Sequence, residues 1–310
     1  ISAMVDYLGE EYSIYLNQNE TDNLSDQLSG KFTGIGVSIG VGNTIVKVYE
    51  DTPASRAGIE ANDVIINING TDTEGKTTAE VANMIDKTKE NTIIVNRNGE
   101  ELNFQVTPES INEPLTTTTY QRNDQNIGYI YVEAFTNTVG EEFKKSLEEL
   151  ESLNINSLII DLRGNTGGYL KGATDIASMF VEKGKVLYML ENKDSKESYY
   201  DETNERRNLP VIVLIDGGSA SASEVLAGAL KDSYGATLVG KLSYGKGKVQ
   251  QTNKLEDGSM VKYTIARWLR PNGECIDEIG IQPDYEVELE QDEEGNFIDT
   301  QLEKALELLS

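Results

Sequence analysis

Two stretches of this chain are apolar nearly throughout, and each ends abruptly in glycines and small polar residues. Val211-Ile-Val-Leu-Ile215 leads into Asp216-Gly-Gly-Ser-Ala-Ser-Ala-Ser-Glu224, and Ser157-Leu-Ile-Ile-Asp161-Leu162 leads into Arg163-Gly-Asn-Thr-Gly-Gly168. A strand with no polar face must be covered on both sides, as the central strands of a helix-clad sheet are. Helical patterns follow both turns, at 225–230 and 171–180, so strand and helix alternate and neighbouring strands run parallel. In such sheets functional groups gather at the carboxyl ends of the strands.

The residues available for chemistry are restricted. The chain has 310 residues, no histidine and one cysteine, Cys275. That excludes Ser-His-Asp and Cys-His units, His-ligated metals, an internal disulfide and multi-cysteine metal sites. Any catalytic base is Lys, Asp, Glu or Tyr. With 27 Lys+Arg against 53 Asp+Glu the net charge is −26, which opposes binding to nucleic acid or anionic lipid. No apolar run approaches the roughly 18–20 residues that span a bilayer, and the start at Ile1 leaves room for an export signal or membrane anchor outside this sequence.

Length argues for about two domains of roughly 100–200 residues. Apolar spacing over 2–28 predicts two short helices with a break near 17–20. Residues 30–42 form a glycine-punctuated loop that enters a strand at Val37, Ile39 and Val41. A strand at 44–49, a helix start at Thr52-Pro53-Ala54, a strand at 63–68, a helix at 77–87 and strands at 91–96 and 101–106 follow. Asn69-Gly70 and Asn98-Gly99 supply the turns. Pro108 and Pro114 close this segment. A strand at 127–132 and an amphipathic helix at 139–150 then lead to the two apolar strands.

Ser221 is the centre of the turn after Val211–Ile215. A sharp strand-to-helix turn of tiny side chains can present a hydroxyl with free backbone N–H groups beside it. The same residues also read as a helix capping box, Ser221 with Glu224. Further on, Leu242-Ser-Tyr-Gly-Lys-Gly-Lys-Val-Gln250 places Lys246 between two glycines, as suits a lysine packed tightly into a cleft, though a solvated hairpin reads the same way. A desolvated lysine can be neutral and accept a serine proton, so a Ser-Lys dyad is the serine-nucleophile design open to a histidine-free chain. The turn at 163–168 can offer N–H groups to an oxyanion, with Asp161 and Arg163 bracing it. It lacks the Gly-Lys-Ser/Thr ending of a phosphate loop.

Together these segments resemble the carboxy-terminal processing, or tail-specific, proteases, a family of serine peptidases with an inserted PDZ domain. The resemblance spans nearly the whole chain. It rests on Gly34-Ile-Gly-Val37, Thr52-Pro-Ala-Ser-Arg-Ala-Gly58, Gly70, Asp161-Leu-Arg-Gly-Asn-Thr-Gly-Gly168, Gly218-Ser-Ala-Ser-Ala-Ser-Glu224, Tyr244-Gly-Lys-Gly-Lys-Val-Gln250 and Gly280-Ile-Gln-Pro-Asp284. It implies an α/β multidomain protein. A protease core at 109–310 has a mixed or parallel sheet and flanking helices (ClpP/crotonase-like), a β-rich PDZ domain spans 34–108, and an N-terminal helical segment spans 1–33.

It further implies Ser221 as nucleophile, Lys246 as general base and Gln250 as the residue orienting the lysine. The backbone N–H groups of Gly167, or Gly168, and of Ala222 form the oxyanion hole, and Lys248 is not the base. No metal or other cofactor is expected. In the PDZ domain a peptide pairs with the strand after the glycine loop, with its terminal carboxylate near Ile35, Gly36 and Val37. The pairing strand is Val37–Val41, with Ile39 in it, and the helix residues Val81, Met84 and Ile85 would form the apolar pocket, with at least one of the three turned to the core. Arg97 is a candidate for coupling bound carboxylate to the protease.

The expected partner is a protein or peptide with a free apolar C-terminus, cut by a bacterial extracytoplasmic enzyme, secreted or associated with the cell envelope, that the PDZ domain can hold latent. The enzyme is monomeric or homodimeric, and the acidic stretch 286–294 with a single terminal helix at 300–309 leaves that choice open. The alternative is a non-catalytic PDZ adaptor on a protease scaffold.

Overall fold

The computed structural model describes residues 2–7, 9–112, 115–291 and 297–310. The chain forms two compact units, one of Lys31–Glu113 and one of Ile1–Gly30 with Pro114–Ser310. In the larger unit the apolar strands lie at the centre of a six-stranded sheet. Its order is Thr116–Arg122, Gln125–Tyr131, Ser157–Asp161, Val211–Ile215, Thr237–Gly240 and Tyr285–Glu286. The first pair is antiparallel and every later pairing parallel.

The alternation of side chains explains why these strands carry no polar face. Ile160 and Val213 point to one side, where Phe143, Leu147, Ile176, Phe180 and Leu226 of the covering helices bury them. Ile159, Ile212 and Leu214 point to the other, against Ala305 and Leu306 of the terminal helix Thr300–Leu308. That helix spends its leucine face on the chain's own core. The acidic stretch before it is described only through Gln291; 292–294 lie outside the described residues.

The structure goes beyond the sequence reading in three places. The segment 2–28 is not two helices alone: between the helices Ser2–Asp6 and Gln18–Ser29 stands a strand, Ile14–Leu16, antiparallel to the start of Met260–Leu269. Backbone pairing with a distant strand overrides the local spacing. Thr116–Arg122, which the sequence offers only as a threonine run, is a full strand, as β-branched residues favour. A second, antiparallel sheet joins Ile14–Leu16, Met260–Leu269, Val186–Glu191 and Lys196–Tyr200, with Lys248–Lys254 also on Met260–Leu269.

The smaller unit extends past the expected limits of 34 and 108, because Lys31–Gly34 pairs with Glu109–Asn112. Its core is Ile45, Ile59, Ile65, Ile68, Ile93 and Val95. Both Asn-Gly turns have positive φ, at Asn69 and Gly70 and at Asn98 and Gly99, as a two-residue hairpin turn demands. The helix predicted over 77–87 is shorter, Thr78–Asn83. The chain then breaks off to satisfy Asn91, whose side chain receives the Asp86 N–H at 2.8 Å.

Candidate active site

Ser221 stands at the N-cap of the helix Ala222–Ala229, directly after the Val211–Ile215 strand and its small-residue turn. Its backbone, at φ 56° and ψ −114°, lies where few non-glycine residues go. Such strain persists only where the surroundings impose it. Here the two glycine turns are stapled together. Asp216 Oδ1 accepts from the N–H groups of Gly164 and Gly218, both at 2.9 Å. Ser219 Oγ donates to Leu162 O at 2.8 Å, and Ser223 Oγ to Asn165 O at 2.7 Å. Gly167 is pressed against Ser221: a Cβ there would lie 2.9 Å from Ser221 Cβ and 3.3 Å from Ala222 N.

Glu224, which the sequence identifies only as a cap, links the Ser221 turn to the Lys246 loop. It is fully buried, and its carboxylate accepts four hydrogen bonds: Oε2 from Ser221 N (2.8 Å) and Lys246 N (2.9 Å), and Oε1 from Ser243 Oγ (2.6 Å) and Gly245 N (2.7 Å). One oxygen therefore fixes the backbone of Ser221 to that of Lys246. Burial pushes the Glu224 carboxyl up from its ordinary range, and the four donors oppose it. The only signal in the sequence was the Ser-x-x-Glu spacing, which points no further than the helix end.

Lys246 is half-buried and lines the same cavity, of about 1000 Å³, as Ser221, Ala222, Gly167, Gly168 and Gln250. Its flanking glycines allow that packing, since a Cβ on Gly247 would come within 2.6 Å of Asp277 Cβ. Burial holds its ammonium below the usual lysine range, although Glu224 and Glu11 pull the other way. Lys262 lines this cavity too, and burial and then the charge of Lys246 lower it as well. Lys248 lines the cavity as well, but its ammonium has an ion-pair partner, Glu10 at 3.6 Å. Gln250 Nε2 is buried with no hydrogen-bond partner among the described residues.

The oxyanion donors need one revision. The Gly167 N–H donates to Asn165 Oδ1 at 2.8 Å, and Asn165 is itself held by Val132 O. Gly167 is thus occupied in this arrangement. The N–H groups of Gly168 and Ala222 make no recorded hydrogen bond among the described residues. Asp161 and Arg163 do brace the turn, at 2.6 Å, and Arg163 continues to Asp299 at 2.7 Å.

In the smaller unit Ile35 and Val81 belong to the core, while Val37, Ile39, Met84 and Ile85 are partly exposed against it. Gly36 has φ +83°, and a Cβ there would strike Thr52 at 2.2 Å. The strand Val37–Ile39 pairs with Ile45–Val48 and, among the described residues, with no other strand. Arg97 is engaged within its own unit. It meets the fully buried Asp63 at 2.6 Å, Glu60 at 2.8 Å and Gly58 O at 2.8 Å.

Residues 126–287 match the sequence profile of peptidase family S41, and residues 44–97 that of the PDZ domain. The carboxy-terminal processing protease CtpB of Bacillus subtilis is 37% identical over 294 residues, covering 91% of this chain and 61% of that protein. CtpA of the same organism is 34% identical over 297 residues, 93% of this chain and 63% of its own length. The chain therefore spans somewhat under two thirds of these relatives. Among solved structures, a photosystem II D1 C-terminal processing protease superposes with a TM-score of 0.57 at 27% identity, over 95% of this chain and 83% of that one.

Proposed function

The chain belongs to peptidase family S41, and from that premise we propose that it is a serine endopeptidase with a Ser221–Lys246 dyad that cuts proteins bearing free apolar C-terminal tails. The observation that carries this reading is the buried Glu224 carboxylate, which bonds the backbone of both residues while the Lys246 ammonium makes no ion pair among the described residues. Desolvated and unpaired, Lys246 is neutral at lower pH than an ordinary lysine.

In the proposed reaction neutral Lys246 Nζ takes the Ser221 hydroxyl proton as Oγ bonds to the scissile carbonyl carbon. The oxygen of the tetrahedral species faces the N–H groups of Ala222 and Gly168, with the helix N-terminus behind them. The protonated lysine then gives its proton to the leaving amine as the C–N bond breaks. A water, deprotonated by the same lysine, releases the acyl group. Gln250 turns its carboxamide oxygen to Lys246 to hold the amine in line.

The PDZ unit reads the tail. Val37–Ile39 offers a free strand edge, and the partly exposed Met84 and Ile85 supply the apolar contact, Val81 lying beneath them as core. Tail binding shifts the population toward the assembled dyad through its higher affinity for that state. Arg97 anchors the PDZ fold through Asp63, and any part it takes in coupling acts through that pair. We place the enzyme outside the cytoplasm of a bacterium, as its relatives are bacterial; no described helix is long and apolar enough to cross a membrane.

The test is cleavage of an unfolded protein ending in apolar residues, with the terminus free or amidated. Cleavage that needs both Ser221 and the free carboxylate is expected. Cleavage that survives Ser221→Ala refutes the nucleophile. Tail binding without cleavage by the wild type replaces this reading with that of a PDZ adaptor.

A further inference from the structure

The base lysine sits against an aromatic ring that no part of the serine–lysine scheme uses. Lys246 Nζ lies 5.0 Å from the centroid of Tyr12, and Lys248 Nζ lies 5.1 Å from it. The two cations are not equivalent. Lys248 has Glu10 at 3.6 Å to answer its charge, whereas Lys246 has no ion pair among the described residues. The backbone on either side of Tyr12 is anchored. Ser13 N bonds back to Glu10 O at 3.1 Å, Ser13 Oγ donates to Glu10 Oε2 at 2.6 Å, and from the next residue the chain pairs with the long strand, Ile14 opposite Lys262.

We propose that Tyr12 is a positioning residue for Lys246, its ring face receiving the ammonium that forms when Ser221 gives up its proton. This rests on the serine–lysine reading above. An aromatic face attracts a cation without supplying a proton acceptor or a full negative charge. A carboxylate in that place would keep the lysine protonated and idle. A ring stabilises the ammonium only modestly, so the lysine can still be neutral when substrate arrives. The N-terminal segment is thereby part of the active site.

The other charges around Lys246 are Glu224 on the helix Ala222–Ala229, Glu11 beside Tyr12, Lys248 at the start of the strand Lys248–Lys254, and Lys262 on its partner strand Met260–Leu269. Tyr12 itself interacts with Glu11, Asp277 and Tyr244, the last through a side-chain hydrogen bond. None changes in the substitutions that follow.

The experiment is the pH dependence of kcat for a peptide substrate in the wild type, Tyr12→Phe, Tyr12→Leu and Lys246→Ala. Tyr12→Phe keeps the ring and is expected to keep the acid limb of the profile in place. Tyr12→Leu is expected to lower kcat about tenfold through loss of position, and to move the acid limb down by about half a unit or more through loss of the ring's hold on the cation. A merely structural role predicts the opposite sign, since a loosened segment admits water and raises the lysine pKa. If Tyr12→Leu does not fold, phenylalanines of increasing fluorine content at position 12 keep the shape and drain the ring face. The limb is then expected to fall stepwise. A limb that stays put or rises in Tyr12→Leu, or is flat across the fluorinated series, overturns the inference about Tyr12 alone. Activity that survives Lys246→Ala overturns the dyad beneath it.

Discussion

Glu224→Gln is the most informative single change, because it is nearly isosteric and attacks the group that joins nucleophile and base. The carboxylate accepts from three backbone N–H groups and one hydroxyl. A glutamine has one accepting oxygen and one donating nitrogen. Its least costly orientation keeps the oxygen toward Ser221 N and Lys246 N and turns the nitrogen to Ser243 Oγ, whose remaining lone pair can receive it. Gly245 N–H is then left buried and unpaired, and the reverse orientation orphans two N–H groups instead. One orphaned buried donor costs about 1–3 kcal/mol, so the variant is expected to lose about 2 kcal/mol in urea denaturation while still folding. The Lys246 hairpin, freed at Gly245, drifts from Ser221, and kcat is expected to fall about 100-fold, since small misplacements of reacting groups cost that much. KM is expected to change less than threefold. The assay is chemical denaturation alongside peptide cleavage. A variant with wild-type stability and kcat within twofold would refute the claim that Glu224 couples the two loops.

Activity of the wild type should rise with pH along a limb set by Lys246, below the usual lysine range because burial favours the neutral amine. In the PDZ unit burial pushes Asp63 up, but its hydrogen bonds and ion pair with Arg97 outweigh this and hold it low. That stability is present above the ordinary aspartate range and lost as pH falls through the depressed value. Melting curves of Asp63→Asn should therefore be flatter than wild type below about pH 4, and Arg97→Met should cost about 1–2 kcal/mol at neutral pH. Gly247→Ala drives a methyl to within 2.8 Å of Asp277 backbone atoms and should lower both melting temperature and kcat.

What was legible in the sequence was whatever local chemistry dictates. The apolar strands Ser157–Asp161 and Val211–Ile215 could belong only at the centre of a covered sheet, and the tiny residues after them could only be tight turns into helices. Positive φ at the Asn-Gly pairs was equally forced. The second sheet escaped notice because Lys248–Lys254 reads as a polar hairpin until its partner Met260–Leu269 is seen beside it. Tyr12 was lost in a helical spacing that pairing across almost the whole chain overrules. Glu224 and Asn165 were visible only as a cap and a turn residue. Their importance lies in acceptors and donors brought in by other loops, which no local pattern encodes.

The central claim is that Ser221 becomes covalently bonded to substrate with Lys246 as its base. The direct measurement is the intact mass of the enzyme quenched during turnover of a slow peptide ester, followed by mapping of the modified peptide. An acyl group on Ser221 in the wild type is expected, with formation slowed in Lys246→Ala and abolished in Ser221→Ala. Turnover with no adduct, or an adduct on another residue, would contradict the account.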